Sequence, residues 1–235
     1  MKLIAKRIEG TAGGRILDVA TEAGDFIEKV TDALGSFDEA IGVDVDDTEL
    51  DKAREKYADR PFTFLHIDAA RLPFADGEYD IVAMNAGLHH LTDIPAVLQE
   101  MVRVLRPGGR FILREMFSDN QTERQQAGIA AHLWWAKTDR LLGRPHFPSL
   151  KKQGIIDHVA TLGLSSYETA EEMGDCNWVA EGKIDKEIVC HRERLPLLVD
   201  HPDYKSLKAE SEAVIERLQT TGAECATTLE VFGIK

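Results

Sequence analysis

The sequence predicts a doubly wound α/β fold, and three observations carry that prediction. Short β-branched runs alternate with helix-period segments over the first two thirds of the chain, as parallel strands joined by crossover helices require. The clearest amphipathic helix, with Ile94, Val97, Leu98, Met101, Val102 and Leu105 on one face, falls between the fourth and fifth of those runs. Four of the five runs carry an aspartate or asparagine within two residues of their end, which places polar groups along one edge of the expected sheet.

Taken in order, RILDVA (15–20) is the first strand, followed by a helix with Phe26, Ile27, Val30 and Leu34 as its apolar stripe. EAIGVDV (39–45) is the second, and the stripe Leu50, Ala53, Tyr57 marks the next crossover. FTFLHID (62–68) and YDIVAMNA (79–86) are the third and fourth strands. Asp93 is placed to cap the 94–105 helix, Pro107-Gly108-Gly109 to end it, and GRFILREMF (109–117) to form the fifth strand. The stretch from about 118 to 149 is polar and aromatic and breaks the pattern, so it reads as a helical insertion and a candidate lid. The helix QGIIDHVATLG, the strand SSYETAEE, two helices around KEIVCHRERLPLLV and SLKAESEAVIERLQTTG, and the alternating TTLEVFGIK complete the chain. The Lys/Glu-rich part of the last helix reads as a solvated face.

The whole 1–235 is expected to be one domain, with a core of about 13–117 and 150–235. Hydrophobic residues make up 43%, enough for a sizeable core, and no segment approaches the roughly 18 apolar residues of a membrane span. MKLIAKRIEG lacks an apolar secretory core, so a cytoplasmic location is expected. Cys176, Cys190 and Cys225 have no short pairing, which disfavours a disulfide framework or a thiolate metal cluster and favours buried free thiols. A net charge of -13 without a dense basic stripe excludes nucleic acid as an expected partner.

In an open α/β sheet, ligands bind outside the carboxyl ends of the strands where the strand order reverses. That rule selects Asp18 to Asp25, Asp44 to Asp46, Asp68 and Ala69, Asn85 to His90, and Glu115 with Met116. A dinucleotide or S-adenosylmethionine could use such a ring. A pyrophosphate would meet Asp18, Glu22 and Asp25 around the first turn, and repulsion at contact distance outweighs the attraction of a helix end. A sulfonium and an ammonium suit an acidic turn.

On these residues the chain resembles the class I S-adenosylmethionine-dependent methyltransferases, most of all the quinone-biosynthesis C-methyltransferases and their small-molecule relatives. LDVATEAGDF is similar to their first turn, in which two glycines flank a threonine; IGVDVDD is similar to their ribose loop and HIDAARLPFADGEYDIV to their adenine loop. GLHHLTDIPAVLQEMVRVLRPGGRFIL matches the unit between their fourth and fifth strands, and the resemblance covers roughly 13 to 117. It implies a Rossmann-like seven-stranded sheet, mostly parallel with an antiparallel last strand. It also implies roles: Asp18, Ala20, Thr21 and Gly24 around the methionine part, Asp44 and Val45 at the ribose and one adenine face, Asp68 and Ala69 at the adenine edge, and Asn85 with Ala86 at the amino group. Glu22 departs from the glycine usual in the family, at a cost of order 1 kcal/mol if its φ is positive.

The expected reaction is in-line methyl transfer to a small-molecule acceptor, leaving S-adenosylhomocysteine. Strand four ends in MNAGLHHL, without the Asn/Asp-Pro-Pro-aromatic signature of amino-directed DNA methyltransferases. His89 and His90 stand where a proton could be accepted from the nucleophile, or else shape the loop. His132, Trp135 and Asp139, at i, i+3 and i+7, would share a helix face, either toward substrate or, through Trp134 and Trp135, as an anchor to the core. Glu115 and His146 complete the candidate lid and substrate set. His132, His146 and His158 lack metal-ligand spacing, so no metal is expected and scattered surface histidines are. Two other readings stay open: a non-catalytic binding protein with a degraded first turn, and a nicotinamide oxidoreductase. Oligomeric state is open, a homodimer included.

Overall fold

A computed structural model describes residues 1–174 and 176–235. Seven strands, β1 (Arg15–Val19), β2 (Glu39–Asp44), β3 (Phe62–His66), β4 (Tyr79–Asn85), β5 (Leu105–Met116), β6 (Ser166–Glu172) and β7 (Thr228–Ile234), form one sheet in the order β3-β2-β1-β4-β5-β7-β6. β7 runs antiparallel to both neighbours, and the other pairings are parallel. The doubly wound architecture and the antiparallel last strand agree with the sequence-based expectation. The strand order reverses between β1 and β4, which sets the cleft described below.

Helices cover both faces: α1 (Lys2–Ile8), α2 (Asp25–Ala33), α3 (Asp47–Lys56), α4 (Ile94–Val104), α5 (Glu123–Leu141), α6 (Lys152–Ala160), α7 (Lys183–Arg194) and α8 (Tyr204–Thr221). Because side chains alternate along a strand, neighbours in one strand feed opposite layers. Leu17, Val82, Phe111 and Leu113 pack with α4 and α6, while Ile16, Ile81 and Ile112 pack with α1, α2 and α3. Both faces of the inner parallel strands β1, β2 and β4 are thereby dry, which is why those strands are near-continuously apolar. On α2 the stripe Phe26, Ile27 and Val30 is fully or nearly buried, each residue worth roughly 1.5–3 kcal/mol of transfer free energy. Asp93 caps α4 through Ala96 N–H at 3.0 Å, as its position before the apolar stripe implies.

Three departures from expectation have physical causes. α1 is too short for a periodic signal; it docks by Ile4 and Ile8 and by the N–H groups of Leu3 and Ile4, which donate to buried Glu230 on β7. β5 begins four residues early, so Pro107-Gly108-Gly109 lies within the strand's opening instead of ending the helix. Cys176 and Cys225 are disulfide-bonded with their Cα atoms 5.4 Å apart, and Cys190 alone is free and half-buried. A separation of 49 residues leaves no local spacing by which that pair could be read. Among the described residues no helix is long and apolar enough to cross a membrane.

The 118–149 insertion is helical, but most of it is fastened down. Small residues Ala127 and Ala131 pack α5 against Leu218 and Ala223, on and just after α8. Trp134 is buried, stacks on His191 with ring centroids 3.9 Å apart, and donates its indole N–H to Leu207 O at 3.2 Å. The last turn of α5, at Asp139, and the segment after it lie over the cleft.

Candidate functional site

The turn after β1 carries three left-handed residues, Ala20 (φ 54°), Glu22 (φ 47°) and Gly24 (φ 81°). Glycine suits Gly24, where a Cβ would sit 2.9 Å from the Tyr57 ring. Ala20 and Glu22 adopt the same region against their steric preference, at roughly 1–2 kcal/mol each. Ties to β2 hold the turn: Thr21 N–H donates to Val43 O at 3.0 Å, and Glu22 N–H to Asp44 Oδ2 at 2.9 Å.

That turn and the ends of β2, β3 and β4 enclose a cleft of about 670 Å³. Ala20, Glu22, Asp44, Val45, Asp68 and Ala69 line it, and Asp139, Arg144, Pro145 and His146 close it from the insertion side. Asp44 Oδ1 accepts from the N–H groups of Val45 (2.7 Å) and Asp46 (3.0 Å), which fixes the carboxylate at the rim. Val45 exposes 57% of an apolar side chain, a platform for a flat ring. Asp68 Oδ1 accepts from Ala70 N–H at 2.9 Å, leaving its second oxygen open. A smaller, mainly apolar cavity of about 330 Å³ adjoins the cleft at Leu91, Thr92 and Asp93, walled by Leu88, Ile94, Phe147 and Leu150 and edged by His89 and His158.

Asp18 lies beneath the turn, 1% exposed. Its Oδ2 accepts from Thr21 Oγ1 at 2.7 Å, but its Oδ1 has no hydrogen-bond partner among the described residues. Burial, augmented by Asp44 and Glu22 and opposed by the Thr21 hydrogen bond, pushes the carboxyl up to about 7. Glu22 is exposed at the rim, yet the crowding of the cleft and then Asp44 push its carboxyl up as well. An arrangement of this kind stabilises a cation placed against it.

At the other end of the cleft four histidines gather, from different elements. The turn Leu88–His90 supplies His89 and His90, α5 supplies His132, and the segment after it His146. Adjacent ring centroids lie between 4.3 and 5.5 Å apart. His89 Nδ1 donates to Glu115 Oε1 (3.1 Å), a buried carboxylate that also accepts from Leu88 and Met116 N–H. His146 Nδ1 donates to Asp139 Oδ2 (2.8 Å), and Asp139 is in turn paired with Arg194. Burial opposes the charge on Asp139, but His146 and Arg194 prevail and hold its carboxyl below the usual range. Burial and the neighbouring rings push His132 down to about 3 and His90 to about 4, and lower His146 also. His90 and His132 are therefore neutral and weak bases near neutrality, poorly matched to accepting a proton from a nucleophile.

Of the expected residues, Ala20, Asp44, Val45, Asp68 and Ala69 line one side of the cleft while Asp18, Thr21 and Gly24 lie buried in and beneath the turn; His90, His146 and Asp139 line the other end, with His89, His132 and Glu115 packed behind them. Asn85 turns its Oδ1 to Arg114 (3.1 Å), Ala86 takes a left-handed φ of 52°, and it is Gly87 that lines the cleft. Trp135 does not face the cleft: it donates to Glu187 and lies under Arg194, 4.2 Å from the ring centre, so the anchoring alternative describes both tryptophans. The expectation of scattered surface histidines is also corrected for His132 and His146, which meet Nε2 to Nε2 at 3.0 Å; His158 lies apart on the smaller cavity. Ligand spacing in sequence could not reveal this, because a loop after α5 folds back on the helix. Arg144 and Pro145 also line the cleft, and nothing in their local sequence marks them.

Residues 17–113 match the family model described as a methyltransferase domain. A similar relative is the ubiquinone/menaquinone biosynthesis C-methyltransferase UbiE of Ectopseudomonas mendocina, 35% identical over 107 residues, covering 44% of this chain and 42% of that protein. The demethylmenaquinone methyltransferase of Staphylococcus saprophyticus is 35% identical over 115 residues, covering 48% of this chain and 49% of its own. The chain spans about half the length of the curated relatives it matches. Among solved structures, the Bacillus YcgJ protein aligns over 100% of this chain and 97% of its own with a TM-score of 0.60 and 20% identity. Haemonchus contortus phosphoethanolamine N-methyltransferase 2, solved with phosphomonomethylethanolamine and S-adenosylhomocysteine, aligns over 100% of this chain and 52% of its own with a TM-score of 0.61 and 16% identity.

Proposed function

We propose that this chain, whose residues 17–113 match a methyltransferase domain, is an enzyme that transfers a methyl group from S-adenosylmethionine to a small, largely apolar acceptor. The observation that carries this reading is the acidic cleft at the strand-order reversal, lined by Glu22, Asp44 and Asp68, with the buried Asp18 carboxyl lying beneath its turn. An ammonium fits it; a pyrophosphate does not. When bound, S-adenosylmethionine supplies a methyl group activated by its sulfonium. Asp18 would hold the amino group, Asp44 the ribose hydroxyls, Val45 one adenine face, and Asp68 with the Ala69 N–H the adenine edge. The 330 Å³ cavity takes the acceptor, and its walls of Leu88, Ile94, Phe147 and Leu150 favour an apolar body of modest size. The residues' contribution is positioning and exclusion of water, since in-line displacement needs near-attack geometry above all.

A second reading, a binding protein without turnover, draws on the left-handed Ala20 and Glu22 where the resembling family uses glycine. One experiment separates the readings. The chain is titrated with S-adenosylmethionine and with NAD by calorimetry, then incubated with S-adenosylmethionine and a panel of small phenols, quinols, amines and thiols while S-adenosylhomocysteine is measured. Binding of S-adenosylmethionine with acceptor-dependent product supports the enzyme. Binding without product from any acceptor supports the second reading, and preference for NAD overturns both. The cytoplasmic location expected from the sequence belongs to this proposal, and a thiol count on freshly isolated protein checks it, because a Cys176–Cys225 bond is kept in oxidising compartments.

A further inference from the structure

We propose that His89, His132 and His146 form a binding site for one divalent transition-metal ion of the zinc type, at the junction of the cofactor cleft and the smaller cavity. One ligand atom from each lies within 4.8 Å of the other two. His89 and His146 are buried and His132 half-buried, so an ion there is shielded from bulk water. His146 lines the large cleft and His89 the smaller one, which fixes the position between them.

The hydrogen bonds around the rings carry the argument furthest. His89 Nδ1 is held by Glu115 and His146 Nδ1 by Asp139, so both rings carry their proton on Nδ1 and turn the Nε2 lone pair away from the carboxylate. Metal-bound histidines have this outer support, a carboxylate that fixes tautomer and orientation. His132 Nδ1 lies 3.4 Å from Ser149 Oγ, and a hydroxyl can either donate or accept, so Ser149 allows His132 to present its Nε2 lone pair too. His132 Nε2 and His146 Nε2 face each other at 3.0 Å. Two such lone pairs repel unless a proton or a cation lies between them. In a tetrahedral site with bonds of about 2.0–2.1 Å, neighbouring nitrogens stand roughly 3.3 Å apart, so this pair needs almost no adjustment and His89 closes in by on the order of 1 Å.

The chemistry selects the ion. Three imidazoles suit zinc and its neighbours and disfavour magnesium or calcium, which prefer oxygen. Three protein nitrogens leave a fourth position for water or substrate, the ligand count of catalytic zinc sites. Buried Glu115, whose side chain has no Lys or Arg partner among the described residues, gains a compensating positive charge nearby.

Any role in methyl transfer rests on the function proposed above, but the metal binding stands apart from it and is tested apart. The full chain, stripped with a chelator, is titrated with Zn2+ by calorimetry and with Co2+ by visible absorption, and S-adenosylhomocysteine binding is measured on the same samples. The expected result is about one ion per chain, with the intense Co2+ bands of a four-coordinate nitrogen site. H132A and H146A should each weaken Zn2+ binding at least about 100-fold and abolish those bands, and D139N should weaken it about 10–100-fold. Circular dichroism establishes that each variant is folded. The proposal is overturned if folded wild type takes up no stoichiometric Zn2+ or Co2+, or if folded H132A and H146A bind Zn2+ as wild type does. Loss of S-adenosylhomocysteine binding alone would instead sink the cofactor reading and leave this one standing.

Discussion

Asp18→Asn separates stability from cofactor binding at a single atom. The carboxyl, ordinarily near 3.8, is held at about 7 in the folded chain, mainly by burial and then by Asp44 and Glu22 against the pull of Thr21. At about 1.4 kcal/mol for each factor of ten in acidity, keeping it ionised costs the folded state on the order of 4 kcal/mol. Below about pH 4 the group is protonated in both folded and unfolded chains and contributes no difference. Between about pH 4 and pH 7 the folded chain keeps a proton that the unfolded chain has lost, so stability falls as pH rises. Above about pH 7 the whole cost is present. Asparagine cannot ionise, so the variant should lose this slope and exceed wild type by about 2–4 kcal/mol near pH 8, with the two converging near pH 4. Its amide cannot balance an ammonium, so affinity for S-adenosylmethionine should drop at least about tenfold near pH 8, the scale of one charge-assisted hydrogen bond. Urea denaturation from about pH 4 to 8.5 and calorimetric titration read the two effects. Parallel pH slopes for the two proteins, or undiminished cofactor affinity in the variant, would refute the reasoning.

Other perturbations follow from the same geometry. Ala20→Gly and Glu22→Gly relieve left-handed backbone but loosen the unfolded chain, so each should raise stability by up to about 1 kcal/mol; Glu22→Gly should also tighten S-adenosylmethionine binding a few-fold by calorimetry. Trp134→Ala removes a buried indole that both stacks on His191 and bonds Leu207 O, and urea denaturation should register a loss of about 3–5 kcal/mol. Reducing the Cys176–Cys225 bond, which closes a loop of separation 49, should cost about 2–4 kcal/mol, read as a lower thermal midpoint in the presence of a reductant.

The legible part of this molecule is the part whose determinants are local. Strand and helix periods over residues 15 to 117 placed β1 to β5 and α2 to α4 within a few residues, because parallel strands and crossover helices have distinct repeats. Asp18, Asp44 and Asp68 could be picked out because strand ends map onto one sheet edge. What escaped depends on contacts distant in sequence. The histidine cluster joins residues 89, 132 and 146, the disulfide joins 176 and 225, and α1 is held by a carboxylate on β7. Trp135 shows the limit of helical spacing: it shares a sequence interval with His132 and Asp139, yet the partners Glu187 and Arg194 on α7 determine where its ring goes.

The fastening of α5 to α8 through Trp134 bears on how molecules enter and leave. With the helix held, the short turn bearing Arg144 to Phe147 covers this end of the cleft, tied by Phe147 N–H to His89 O at 2.6 Å, Arg144 N–H to Asp139 O at 2.9 Å, His146 Nδ1 to Asp139 Oδ2 at 2.8 Å, His90 Nδ1 to Pro145 O at 3.3 Å and Arg140 to His146 O. Peeling back that turn breaks all of these bonds together, while the sheet and its covering helices keep theirs. The doorway is therefore latched from several sides, and the residues that form the latch are those that crowd the reacting end.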